Sequence, residues 1–485
     1  MNLPIPFCTY TKQLMGDALF ATLCEGLEDT PPVSIRMNPF KSKGAGACPT
    51  DTTPVAWCQE GVYMASRPNF TFDPLLHAGL YYVQEASSMF LAHVLRRLVH
   101  RPVVMLDLCA APGGKSTLAR SVLPEGSLLF ANEPDKKRVQ ILRENLQKFG
   151  HPEVIVTNNL PHDYKKSGLV FDVVLADVPC SGEGMFRKDP DAIEAWSAQH
   201  VTDCQRLQRQ IIADIWPCIK PGGLLIYSTC TFNALENEEN VDWIAREFGA
   251  SFVTLDTDAA WHITGALGYN HPVCRFIPGK SRGEGLFMAV LRKEGNENGV
   301  TPLPFEGTVR TVVKTHKKVG KDRKGAKEGA RSMAQVATWL QQTGQYVFHE
   351  LQEKVIAMPC TGYAHYLKAV QTLRVVHAGI ELATRKGNDL IPQTSLALSI
   401  DLRQEAFPRM DLDYQQAMAY LRKEALTLPA SLPRGWVLLT YKGIPLGFAK
   451  QIGNRANNLY PQEWRIKSTH LPSEEPNIIQ LCNNI

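Results

Sequence analysis

Between residues 102 and 293 short apolar runs alternate with stretches of helical spacing, and this alternation narrows the possible folds more than any other feature of the chain. The runs are VVMLDLC (103–109), SLLFANE (127–133), VIVTN (154–158), FDVVLAD (171–177) and LLIYSTC (224–230). Helices are expected at Ser116–Leu123, Lys136–Phe149, Trp196–Ile219 and Glu236–Phe248, and the late runs SFVTL (251–255) and LFMAVLRK (286–293) complete a sheet. Strands that are apolar throughout, rather than alternating, are buried on both faces. Interleaved with helices, they predict an α/β domain around a mostly parallel, doubly wound sheet.

Such sheets bind ligands at the carboxyl ends of their strands, so the residues there carry the functional signal. The fourth run ends in Asp177-Val178-Pro179-Cys180, followed by Gly182 and Gly184, which leave room for a close neighbour. The fifth ends in Ser228-Thr229-Cys230-Thr231. The fourth and fifth strands of a doubly wound sheet are neighbours, so Cys180 and Cys230 can face one crevice beside Asp177. The first run leads into Asp107-Leu108-Cys109-Ala110-Ala111-Pro112-Gly113-Gly114-Lys115-Ser116, small residues that let a ligand approach the backbone. Its GKS ending suggests a phosphate-binding loop, but that motif needs a glycine five places before Gly114, and residue 109 is cysteine. The G-x-G-x-x-G dinucleotide fingerprint is also absent. A nucleoside without pyrophosphate remains, with S-adenosylmethionine the obvious candidate. Glu133 ends the second strand 19 residues after Gly114, close to the ~20 expected of a ribose-binding acid.

At 485 residues the chain is long enough for two to four domains. Residues 1–100 form a leading α/β domain, 101–295 the doubly wound sheet domain, 296–332 a linker and 333–485 a C-terminal region. In the leading domain a helix is expected at Thr11–Leu27, a strand at VSIRMNP, a loop over 41–54, and a helix from near Glu85. The MNLPIPF start reads as ordinary structured chain, and no run is apolar enough for a membrane span, so a cytoplasmic protein is expected. Twelve cysteines lie scattered without a C-x-x-C pair, which supports neither a metal site nor a disulfide framework. From Arg310 to Arg331 nine Lys/Arg face two acids, a net +7 in a chain of net +4. Such a segment is a solvated linker or a phosphate contact, and the two do not exclude each other. WVLLTYKGIPL (436–446) predicts a hairpin turning at Lys-Gly. Arg455, Tyr460, Trp464 and Arg465 beyond it suit either nucleic-acid stacking or the packing of a small β-domain.

Taken together, DLCAAPGGKS, ADVPCSGEGMFRKDP and YSTCTFNALENEENV resemble the Sun-family RNA 5-methylcytosine methyltransferases. With YYVQEASSM before the core, the similarity extends to the bacterial enzymes of the small ribosomal subunit. The resemblance is strong from about residue 80 to 293 and weakest after the linker. It implies a Rossmann-like methyltransferase core and a C-terminal α+β, PUA-like RNA-recognition module. It further implies S-adenosylmethionine as donor and cytosine in 16S ribosomal RNA, or in the small subunit itself, as substrate. Cys230 matches the family's nucleophile and Cys180 the cysteine that assists release. Donor contacts match Cys109, Ala110, Ala111, Pro112, Gly113, Gly114, Lys115, Glu133, Arg138 and Asp177. Where the family ends its third strand on an acid, this chain offers Asn159, which could still bond the base. Arg187 and Lys188, just past Cys180, are expected to hold the phosphates of the target nucleotide.

Four alternatives stand beside this expectation. Cys180 could attack, as the Pro-Cys thiol does in DNA cytosine enzymes. The chain could be an RNA-binding assembly factor without catalysis, which would have no use for two such thiols, or a transfer RNA 5-methylcytosine enzyme. An N-methyltransferase would place Asn/Asp-Pro-Pro-aromatic where Asp177-Val178-Pro179-Cys180 stands.

Overall fold

The computed structural model describes residues 1–295 and 333–481, apart from 352, 388, 454, 469–471 and 473. The basic segment expected as a linker therefore lies outside the described residues. At the centre is a nine-stranded sheet. Its parallel strands are β1 (Val104–Asp107), β2 (Leu128–Asn132), β3 (Val154–Thr157), β4 (Phe171–Asp177) and β5 (Ile219–Thr229). They run in the order β3-β2-β1-β4-β5. Antiparallel β6 (Leu286–Arg292) follows β5, and short strands Ser251–Phe252 and Val273–Phe276 pair with β6.

Each core strand feeds two cores. Met105, Leu129, Val156, Val173 and Ile226 pack on one face. Their neighbours Leu106, Phe130, Ile155, Val174 and Leu225 pack on the other. Successive side chains point to opposite faces, and helices cover both, so the runs have to be apolar throughout. Helices α1 (Gly114–Val122), α2 (Arg138–Phe149), α3 (Ala198–Ile215) and α4 (Glu238–Phe248) fall close to their expected positions. The strand begins earlier than the 224–230 run, so that Pro221-Gly222-Gly223 lies inside β5. The strand register shifts between Ile219 and Leu224, where Gly222 takes φ +74°.

The leading region is a four-stranded sheet, with Val33–Met37 between Cys58–Met64 and Tyr81–Val83, and a helix over Ile5–Glu28. That helix docks where a side chain at Gly26 would collide with Gly279, its would-be Cβ lying 2.2 Å from the Gly279 nitrogen. Residues 41–54 are not simply a loop. Ala47–Pro49 pairs with Ile479–Leu481 near the other end of the chain, and Thr52–Val55 forms a sheet edge.

The C-terminal region is tied into the core rather than free-standing. Strand β7 (Val375–Ala378) adds antiparallel to β3, and Tyr363 and Tyr366 from the helix Cys360–Thr372, with Leu373 at its end, join a core cluster of the central sheet. The expected hairpin is present as Gly435–Tyr441 and Ile444–Gln451, with Lys442 and Gly443 both at positive φ in its turn. Tyr460 and Trp464 do not offer stacking faces to nucleic acid. Both are buried, and Lys148 of α2 lies 5.3 Å from the Trp464 ring centre, so these aromatics pack the module against the core. Arg455 and Arg465 remain exposed.

Candidate active site

The strand order reverses between β1 and β4, and the residues singled out above converge at their carboxyl ends. The loop from Cys109 leaves β1 and enters α1 through Gly113, whose φ of +115° suits glycine. A cavity of 390 Å³ opens there. Cys109, Ala110, Ala111, Pro112, Gly114, Lys115, Asp177, Lys188 and Cys230 line it, together with Tyr82 and Gln84.

Asp177 is fixed from two sides: Lys115 Nζ donates to Oδ2 at 2.8 Å and Ser228 Oγ donates to Oδ1 at 2.6 Å. Burial works against the Lys115 charge, but Asp177 outweighs it, so the ammonium is held above its ordinary range, with Cys230 adding to the effect. Cys180 Sγ and Cys230 Sγ lie 3.3 Å apart. That hydrogen bond first, and desolvation second, push the Cys180 thiol well above its ordinary range. Asp107, which lines the cavity, is raised to about 7 by burial, and its Oδ1 has no partner among the described residues while Oδ2 accepts from Ser116.

Two acids that sequence reasoning passed over hold the thiols in register. Glu183 follows Cys180 but grips the Cys230 loop. Its Oε2 accepts from Thr231 Oγ1 at 2.6 Å, Phe232 N at 2.7 Å and Asn233 N at 3.0 Å. Glu236 follows Cys230 but grips the Cys180 loop, accepting from Ser181 N at 3.0 Å and Ser181 Oγ at 2.5 Å. Gln208 links Glu236 to the Pro179 carbonyl. Burial raises Glu236, opposed by the Ser181 and Asn233 bonds. Each loop thus carries the carboxylate that clasps the other. Arg275, paired with Glu238, donates to the Phe232 carbonyl at 2.8 Å and braces the same loop from behind. Within the run Glu236–Glu239 nothing in the spacing marks one acid as buried; only Gly182 and Gly184 around Glu183 hinted at close packing.

Gly184 N donates to the Cys230 carbonyl at 2.7 Å, and a Cβ on Gly184 would sit 2.4 Å from that oxygen. Gly184→Ala is therefore expected to push the Cys230 loop away and lower kcat at least tenfold, with donor affinity changed less than twofold. Methyl-transfer kinetics beside calorimetric binding of S-adenosylhomocysteine checks this.

Several expected residues lie off the cavity. Glu133 is buried, and its oxygens accept from Ala111 N at 3.3 Å and Asp135 N at 3.0 Å. Arg138 donates to the Ala111 carbonyl at 2.9 Å. Both brace the outer end of the loop. Asn159 does not line the cavity: its Oδ1 accepts from Arg374 N at 3.0 Å, so β7's approach engages it. Arg187 is neither a surface charge nor a free phosphate clamp. Its guanidinium is 5% exposed and is spent on Glu284 and the carbonyls of Gly26 and Gly283. Lys188 stays partly exposed, 3.1 Å from Glu284. Gln84, by contrast, is set by the buried Arg36, whose Nε donates to its Oε1 at 2.8 Å.

The residues present suit a nucleoside sulfonium donor. The loop is small enough for close approach, since even a methyl on Gly114 would press to 3.3 Å from Tyr82. Asp107, whose Oδ1 has no partner among the described residues, and Asp177 turn acceptor oxygens toward the space the donor would fill. Among the described residues no group of acids, histidines and cysteines could hold a metal ion, and no helix is long and apolar enough to cross a membrane.

Comparison with known proteins agrees. Residues 99–292 match the family model for 16S rRNA methyltransferase RsmB/F. Residues 3–86 match the N-terminal domain of 16S rRNA methyltransferase RsmF, and 407–466 the methyltransferase RsmF PUA domain. The ribosomal RNA small subunit methyltransferase F of Pectobacterium atrosepticum is 32% identical over 425 residues, 84% of this chain and 83% of its own. That of Salmonella agona is 30% identical over 489 residues, 95% of this chain and 96% of its own. A methyltransferase homologue from Pyrococcus horikoshii is similar in structure, at TM-score 0.50 and 26% identity, covering 59% of this chain and 94% of its own. NSun6 from the same organism, solved with SFG, shares the fold at TM-score 0.51 and 21% identity, over 60% and 99% of the two chains. With its cavity, its paired cysteine loops and these relatives, the chain belongs to the ribosomal RNA small subunit methyltransferase F family, S-adenosylmethionine-dependent enzymes that modify the RNA of the small ribosomal subunit.

Proposed function

We propose that this methyltransferase acts on carbon 5 of a cytosine in 16S ribosomal RNA, through a covalent bond between Cys230 and carbon 6 of the base. The observation that carries the reading is the 3.3 Å between the two sulfurs: Cys230 lines the cavity with Asp107 and Asp177, and Cys180, not itself a lining residue, sits directly against it. Carbon 5 of cytosine is a poor nucleophile. When a thiolate adds at carbon 6, the ring becomes an enamine with electron density at carbon 5, and one hard step becomes two easier ones. S-adenosylmethionine, when bound, supplies the electrophilic methyl group. The carbon 5 proton then leaves to a base, and the carbon–sulfur bond breaks with its electron pair returning to Cys230.

Cys180 suits the base in that last step. At rest its hydrogen bond with Cys230 favours the protonated thiol. Once the Cys230 sulfur is bonded to carbon, that restraint is gone, and Cys180 can give its proton to solvent and, as the thiolate, later take the one from carbon 5. Asp177 with Lys115 beside it forms an acid–ammonium pair able to share a proton with the ring as carbon 6 is attacked. Glu133 and Arg138 brace the loop that would meet the ribose end of the donor, and Lys188 is the cation left to meet the target nucleotide's phosphate. The base has to leave its stack to reach the sulfurs, which favours loops and splayed segments of RNA.

Incubation of 16S ribosomal RNA and of 30S subunits with tritiated donor, followed by digestion to nucleosides, tests the reading. Label in 5-methylcytidine supports it; label in any other nucleoside overturns it. The assignment of the attacking sulfur has its own check. Cys180 keeps its proton, so brief iodoacetamide treatment near pH 7.5 is expected to modify Cys230 at least several-fold faster than Cys180. Peptide mass spectrometry reads the ratio, and the reverse order would make Cys180 the nucleophile.

A further inference from the structure

Beside the catalytic cavity lies a second concavity of 530 Å³, at the seam between the leading sheet and the core. The two share walls. Gly279–Gly283 line the second while Glu284–Leu286 line the first, and Arg187 faces one while Lys188 faces the other. The partition is the ion pair of Glu284 with Arg187 and Lys188.

The outer groove is basic. Arg67, Lys280 and Arg282 line it and are exposed, against the single carboxylate of Asp29. Among the described residues none of the three forms an ion pair. Lys280 Nζ donates to Thr264 Oγ1 at 2.8 Å, and Arg67 sits over Phe70 at 6.0 Å. Arg282 lies 4.0 Å from the Tyr63 ring centre and donates to Thr53 at 3.1 Å, so its charge is held over the groove rather than free to wander. Three unneutralised cations along a groove that abuts an RNA-modifying cavity are complementary to a phosphate backbone.

We infer that this groove is a binding track for the RNA strand next to the target nucleotide, with Arg67, Lys280 and Arg282 as its phosphate contacts. The inference rests on the substrate being RNA, not on which atom is methylated. Phosphate contacts position a strand without reading its sequence, so the groove would set how firmly the flanking nucleotides are held while the base is presented to Cys230.

The test uses the full-length protein with Arg67→Glu/Arg282→Glu, and Lys280→Glu as a separate variant that removes no aromatic stacking. Binding to deproteinised 16S ribosomal RNA and to 30S subunits is measured by filter retention between 50 and 200 mM salt, with S-adenosylhomocysteine affinity as the folding control. The expected result is at least tenfold weaker RNA binding for the double variant. Its log–log salt slope should be shallower by about 1.4, the value for two lost single-strand phosphate contacts, with unchanged donor binding. Lys280→Glu should show a reduction of about 0.7 in slope. RNA affinity within twofold of the parent and an unchanged slope in both variants would overturn the track. Because binding is read directly, the result stands whether or not the methylated atom proves to be cytosine carbon 5.

Discussion

Cys230→Ala is expected to lose methyl transfer altogether and to form no stable adduct with RNA carrying 5-fluorocytosine. Cys180→Ala is expected to form the adduct and fail to let it go. The two sulfurs differ because the geometry gives them different work. Cys230 follows β5, near Lys115, while Cys180 holds its proton in a hydrogen bond to its neighbour. Removing the attacking atom leaves no route to an electron-rich carbon 5, so the loss should reach background, at least 10⁴-fold on the scale of nucleophile deletions. Removing the second thiol leaves attack and transfer intact but takes away the base for the carbon 5 proton. A covalent RNA–protein complex should then survive denaturing electrophoresis with unsubstituted RNA. Full turnover by Cys230→Ala, or a trapped complex in that variant and none in Cys180→Ala, would reverse the assignment.

Glu183→Ala should be nearly as damaging without touching substrate. The carboxylate receives hydrogen bonds from Thr231, Phe232 N and Asn233, which have little or no access to water, and from the half-buried Trp196. Buried donors left without an acceptor cost about 1–3 kcal/mol each before relaxation. A loss of roughly 3–5 kcal/mol in stability is therefore expected, as when one partner of a buried charge contact is removed. The Cys230 loop would also lose the grip that keeps its sulfur against Cys180, so kcat should fall at least a hundredfold. Glu183→Gln keeps an acceptor oxygen and is expected to recover part of the stability. Thermal unfolding and single-turnover adduct formation together check this: a variant with unchanged melting and unchanged adduct rate would show the clasp to be dispensable.

The central sheet was legible because its strands are buried on both faces, which writes them as unbroken apolar runs, and because glycine-rich and acidic ends punctuate them. The cysteine pair was legible for a topological reason: two strands adjacent in the sheet order deliver Cys180 and Cys230 to one crevice. What escaped depends on contacts distant in the chain. Glu183 and Glu236 look like solvated acids until the opposing loop supplies their donors. Arg187 looks like a surface cation until Glu284 and the Gly26 carbonyl, nearly a hundred residues or more away, close around it. Ala47–Pro49 becomes a strand only because residues 479–481 come back to meet it. Tyr460 and Trp464 presented stacking and packing equally in sequence, and only the approach of α2 decides for packing.

The pairing of β7 with β3 has a mechanical meaning. A recognition module hung on a flexible tether would sample many distances from the thiols, but one whose neighbouring strand is hydrogen-bonded into the catalytic sheet is held at a constant span. A fixed span of this kind is expected to favour targets whose anchoring segment lies a matching length away along folded RNA. Shortening the protein to its catalytic portion would discard that span and also bare the backbone of β3, turning a protected margin into a site for self-association.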